Sequence, residues 1–308
     1  MNVKKPVIWR IWMPIILLLS CAILIYAVLS TTHSRPRPAG GGKGSTPLNM
    51  PTSTNAPPLR ARIVYEWNSG IYSTRTDTGF TRKIADEGKY PRWSPDGRSI
   101  AYWRGTNHLV QADADGGNPV VLARAEEPRG IAYHPDGLDL YFVDQNAVKS
   151  VSLANHTVRT RLEGYRFVEI DLAPGNRFVA SIKSVPNHYL LAFDLATGRH
   201  WKLGHHGCSA SLSPDGQYST RNAGNHRRLS IDDWASGKMI RSLPAPPRLL
   251  NDNQFWSNHA DWIASVMQGG STEIYIQRVS DARYWRVTFC GGCDRPDLYV
   301  PRDGQADG

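Results

Sequence analysis

Trp93-Ser94-Pro95-Asp96-Gly97 returns along the chain as His134-Pro135-Asp136-Gly137, Ala173-Pro174-Gly175-Asn176 and Ser213-Pro214-Asp215-Gly216. Proline holds φ near the value wanted at the second position of a type I turn, Asp suits the third, and glycine takes the left-handed conformation that follows. Such a turn joins two antiparallel strands, and the Ser hydroxyl has backbone partners inside it. The turn glycines stand at 97, 137, 175 and 216, which are steps of 40, 38 and 41 residues. Each copy is followed by apolar, strand-like runs. A period of roughly forty residues with four strands per unit is the signature of a β-propeller. A divergent copy lies at Asn258-His259 and a last one at Pro301-Arg302-Asp303-Gly304.

The second unit shows the pattern in full, with strands expected at 91–94, 99–103, 108–112 and 120–122. The third, fourth, fifth and sixth units fill the same four slots. The first unit begins with Ile63-Val64-Tyr65 and is one strand short, whereas the chain closes on Asp297-Leu298-Tyr299-Val300, a lone first strand. If the last strand completes the first sheet, the ring shuts and leaves no unpaired inner edge. The expected fold is therefore an all-β, six-bladed propeller closed by its C-terminal strand, with one transmembrane helix before it. Ten Trp and thirteen Tyr suit an architecture that packs sheet face on sheet face.

Residues 88–123, from Gly88-Lys89-Tyr90-Pro91-Arg92 to Asp115-Gly116-Gly117-Asn118-Pro119-Val120-Val121-Leu122, resemble the repeats of TolB-type β-propellers. The resemblance extends over about 62–304. It implies a six-bladed propeller and, by analogy with TolB, a periplasmic scaffold that binds envelope proteins. The chain departs from that pattern in keeping an apolar anchor and in showing no α/β domain before the propeller.

Residues 11–29 form a run of 19, almost purely apolar, preceded by Lys4, Lys5 and Arg10 and flanked by Trp9 and Trp12. That length spans a bilayer. Arg35, Arg37 and Lys43 follow it and equal the basic count before it, so the expectation of an inside amino terminus rests on the free amino group and the adjacent Lys4 and Lys5. A lipoprotein reading of Leu18-Leu19-Ser20-Cys21 meets an apolar run that continues to Leu29, and a cleaved signal peptide has a shorter core. The expected organisation is an anchor at 1–30, a Pro- and Gly-rich basic linker at 31–60, the propeller at 61–304 and a tail at 305–308. Seven of the 36 Lys and Arg residues lie in the first 60 positions and all 27 acidic residues lie beyond them. The globular part therefore carries only +2, and nucleic acid is not an expected partner. The expected location is the cell membrane, with the propeller on the periplasmic or extracellular side.

Loops leading into each first strand gather on one face of a propeller, together with the loops between second and third strands. Arg92, Arg129, Arg166 and Arg295 each fall just before a first-strand turn and are expected to form a rim at the channel mouth that grips carboxylates of a partner. Cys290-Gly291-Gly292-Cys293 has the spacing of a short-loop disulfide. His205, His206, Cys208 and His226 fall on the same face and are candidate metal ligands. Asn251-Asp252-Asn253 reads as a turn. No Gly-x-Ser-x-Gly occurs, so the chain is expected to be no enzyme and to need no cofactor. The leading expectation is an envelope platform for a protein or peptide. A metal- or thiol-dependent site near His205, Cys208 and Cys293 is the alternative.

Overall fold

The computed structural model describes residues 48–49, 57–184, 188–204 and 207–302. The segment 1–30, most of the linker, His205, His206 and the tail 305–308 lie outside the described residues. No helix among those described is long and apolar enough to cross a membrane.

Six antiparallel sheets follow one another in sequence. Blade 2 holds β5 (Lys89–Trp93), β6 (Ser99–Arg104), β7 (His108–Asp113) and β8 (Val120–Arg124), running from the inner to the outer edge. Blade 3 repeats this with β9 (Pro128–Tyr133), β10 (Asp139–Asp144), β11 (Ala147–Ser152) and β12 (Val158–Glu163). In blade 4 the strands are β13 (Phe167–Ala173), β14 (Arg177–Lys183), β15 (His188–Asp194) and β16 (His200–Gly204). Blade 5 has β17 (Ala210–Leu212), β18 (Tyr218–Ala223), β19 (Arg228–Asp233) and β20 (Met239–Pro244). Blade 6 has β21 (Leu250–Trp256), β22 (Trp262–Gln268), β23 (Thr272–Arg278) and β24 (Tyr284–Arg286).

Blade 1 is built from both ends of the described chain. β2 (Arg62–Trp67), β3 (Gly70–Arg75) and β4 (Phe80–Ala85) supply its outer strands, and β25 (Asp294–Tyr299) supplies the innermost. Ile63 pairs with Leu298 and Val64 with Asp297. The expected closure is thus present. β1 (Leu48–Asn49), within the stretch read as linker, adds two residues to the outer edge of this sheet by pairing with β4.

The core is divided into six slabs, one between each pair of neighbouring blades. Strand periodicity explains why. Successive side chains point to opposite faces, and both faces of a blade are covered. Ile100 and Tyr102 of β6 enter the slab shared with blade 1, whereas Ala101 and Trp103 enter the slab shared with blade 3. The second strands, such as β10 (Asp139–Asp144) and β22 (Trp262–Gln268), therefore read as near-continuous apolar runs. The outer strand β12, Val158-Arg159-Thr160-Arg161-Leu162-Glu163, is mostly exposed and carries charges that discourage edge pairing.

The repeated turn does what its residues dictate. Ser94 Oγ donates to Asp96 Oδ1 (2.6 Å) and accepts from Ser99 N (2.9 Å). Ser213, Asp215 and Tyr218 repeat the arrangement. Gly97 and Gly216 hold φ of 67° and 70°. In the divergent copy, Asn258 replaces proline and its side-chain amide brackets Val300, accepting from Val300 N (2.7 Å) and donating to Val300 O (2.8 Å). That residue ties the end of the closing strand to blade 6.

Candidate functional site

The starts of the inner strands and the loops between second and third strands share one face, here called upper. Inner strands are latched to one another by side chains that accept backbone N–H groups. Asp297 Oδ2 accepts from Trp93 N (2.7 Å), Asp171 Oδ2 from Leu212 N (2.8 Å) and Ser211 Oγ from Trp256 N (2.8 Å). Ser211 Oγ also donates to Asp171 Oδ2 at 2.5 Å. Burial pushes the Asp171 carboxyl up to about 6 against these bonds.

Two of the four arginines expected on the rim lie inside the ring. Arg92 is buried, donates to Ile131 O (3.2 Å) and Pro91 O (3.1 Å), and stacks its guanidinium over the Phe255 ring at 3.4 Å. Arg295 reaches from blade 1 to Glu169 of blade 4 in a direct ion pair, lies 3.4 Å from Glu66 Oε1, and covers the Tyr90 ring at 3.8 Å. Burial raises Glu169, while Arg295 and Arg92 oppose that shift. Burial disfavours the Arg295 charge, but Glu169, Tyr90 and Glu66 outweigh it and raise its pKa. The physical reason for the correction is register: a charged side chain near the start of an innermost strand can point into the ring, where a carboxylate compensates it. Arg129 remains near the surface, 3.6 Å from Glu127, and Arg166 is exposed.

The cysteine expectations separate into two clusters. Cys290 and Cys293 have their sulfurs at bonding distance across a Cα separation of 6.2 Å. Their loop wraps Glu273, whose carboxylate accepts from Cys290 N (3.1 Å), Gly291 N (2.9 Å), Thr288 Oγ1 (2.9 Å) and Arg286 Nη2 (2.8 Å). Cys293 is fully buried beside Ile63 and Leu298, so the loop secures the start of the closing strand.

Cys208 meets His226 and Asp252. Its Sγ is 3.8 Å from His226 Nε2 and 3.3 Å from Asp252 Oδ1. Burial and the neighbouring Asp252 push the thiol up to about 12. Asp252 was missed because Asn251-Asp252-Asn253 reads as a turn. It is strand: β21 begins at Leu250, and a bulge between Asp252 and Phe255 turns the carboxylate towards blade 5. His205 and His206, the other two candidate ligands, lie outside the described residues. Glu169, Glu273 and Asn222 were also missed. For Glu169 a signal existed, since a carboxylate within Phe167-Val168-Glu169-Ile170 demands a buried cation.

These features define a six-bladed β-propeller with a closed inner ring and a polar upper face. Among solved structures, TolB from Acinetobacter baumannii superposes with a TM-score of 0.63 at 18% identity, covering 79% of this chain and 67% of that one. A TolB-like protein from Agrobacterium tumefaciens gives a TM-score of 0.59 at 13% identity over 79% and 98% of the two chains. A chain of a nidogen/laminin complex gives 0.64 at 9% identity over 77% and 98%. The fold is that of the TolB-like six-bladed propeller. No protein-family model matches the sequence, and no curated protein sequence is significantly similar to it.

Proposed function

We propose that this chain is a membrane-tethered envelope protein whose propeller offers its upper face as a rigid docking platform for another protein or peptide. The carrying observation is that both interior arginines are already engaged. The Arg295–Glu169 pair crosses the ring and Arg92 stacks across it on Phe255. Interior charge is thereby used for cohesion, and recognition falls to the loops. Arg129 and Arg166, with the exposed Arg227 and Arg248, give that face guanidinium groups suited to carboxylates. The fold similarity to TolB and to a chain from a nidogen/laminin complex supports a binding role, as does the apolar segment 11–29 for tethering.

The test uses the full chain, cross-linked in native membranes and captured, beside an Arg129→Glu/Arg166→Glu variant. One enriched partner that the variant loses is the expected result. Equal recovery with both chains, or no enriched partner, counts against the platform.

A further inference from the structure

We propose that Cys208 Sγ, His226 Nε2 and Asp252 Oδ1 together bind one zinc ion on the upper face, bridging blades 5 and 6. One ligand atom from each of the three residues lies within 4.8 Å of the other two. Zinc holds sulfur at about 2.3 Å and nitrogen or oxygen at about 2.0–2.2 Å. Donors on a tetrahedral ion therefore stand roughly 3.3–3.8 Å apart. The Cys208 to His226 and Cys208 to Asp252 distances, 3.8 and 3.3 Å, match that spacing.

Each donor is also aimed. His226 Nδ1 lies 2.7 Å from the carbonyl oxygen of Asn251. A carbonyl only accepts, so this contact, closer than the 3.2 Å to Asn222 Nδ2, puts a proton on Nδ1. In the neutral ring the lone pair is then on Nε2, 3.8 Å from Cys208 Sγ. Asp252 Oδ2 accepts from Gln268 Nε2 (2.8 Å), and Oδ1, held by Asn253 N (3.0 Å), faces Cys208 Sγ. A histidine or carboxylate ligand oriented through its other polar atom is the usual second layer of a metal site.

Asn222 is the independent observation. It is 3% exposed, its Oδ1 has no hydrogen-bond partner, and its Nδ2 faces Cys208 Sγ (3.1 Å), Asp252 Oδ1 (3.3 Å) and Ser209 Oγ (3.5 Å). Two amide hydrogens cannot serve all three of these acceptors. The cluster is rich in acceptors and short of positive charge, which one cation corrects. A mixed thiolate, imidazole and carboxylate set suits zinc rather than calcium or magnesium, which take oxygen ligands. On binding, the Cys208 thiol releases one proton to solvent, and thiolate, carboxylate and neutral imidazole balance the 2+ charge. Three protein donors leave a coordination position for water or for a ligand carboxylate.

The experiment uses the full chain purified in detergent, stripped with a chelator and then loaded with zinc(II) or cobalt(II) alone. One zinc per chain is expected by elemental analysis after dialysis, and cobalt is expected to give a thiolate-to-metal charge-transfer band. Cys208→Ser should abolish the band and weaken zinc by at least about a hundredfold in chelator competition, while Gln268→Ala weakens it roughly tenfold. A Cys290→Ser/Cys293→Ser chain should bind as the parent does. Should Cys208→Ser not fold, zinc protection of Cys208 against alkylation in the unmodified chain, read by mass spectrometry, tests the same ligand directly. No stoichiometric zinc, an unchanged band in folded Cys208→Ser, or an unprotected Cys208 overturns the site. Partner capture through Arg129 and Arg166 is read separately, so either reading can fail without the other.

Discussion

Replacing Arg295 with Met tests whether internal charge holds the ring together. The substitution keeps an apolar stem over Tyr90 but strands Glu169, 2% exposed and with Oε2 already lacking a hydrogen bond, and Glu66, which faces the same guanidinium. Removing one member of a buried pair costs about 3–5 kcal/mol, because the remaining charge stays desolvated. Arg295 keeps some solvent exposure, so the lower end applies, about 3 kcal/mol. For a propeller of this size that is roughly 6–12 °C in Tm. The pH dependence adds a signature. Burial raises Glu169, and losing Arg295 raises it further. A carboxyl raised in the fold stabilises at low pH and loses that contribution as pH rises through its folded pKa. The deficit of Arg295→Met should therefore grow from acid towards neutral pH. Adding Glu169→Gln should recover at least half of it. Urea denaturation of the single and double variants at several pH values reads all three effects. A deficit below about 1 kcal/mol, a flat pH profile or no recovery would refute the strut.

Gly97→Ala should cost several kcal/mol in thermal melts, whereas Gly137→Ala costs about 1. Both glycines hold positive φ, but a Cβ at 97 would lie 2.2 Å from the Tyr299 ring and one at 137 would meet nothing within 4 Å. Cys290→Ser should lower stability by about 2 kcal/mol, the entropy of a very short closed loop, and abolish the effect of reductant on Tm. Asp171→Asn should remove a pH trend: Asp171, raised to about 6 by burial, contributes stability below the unfolded pKa that is lost as pH rises through 6. Wild type should therefore lose up to about 3 kcal/mol relative to the variant between acid and neutral pH, as urea midpoints would show, and the opposite trend would refute the burial argument.

Local chemistry alone made the repeat legible. Proline, Asp and glycine at fixed offsets define a turn without reference to anything distant, so the blade count, the turn positions and the missing strand of the first unit could be read from residues 62–304. The closing strand was also legible, because an orphan strand at 297–300 and a vacancy at 63 are complementary. What sequence could not decide was where a side chain near the start of an inner strand points. Arg92 and Arg295 look like rim residues until the ring closes and brings Phe255 and Glu169 across from them. Cys208, His226 and Asp252 come from two blades and stand 44 residues apart at their widest, Cys208 to Asp252. Their convergence depends on a bulge in β21 and on the packing of blade 6 against blade 5, which no local pattern encodes. Turn chemistry is set by neighbours in sequence, and charge pairing and ligand convergence by neighbours in space.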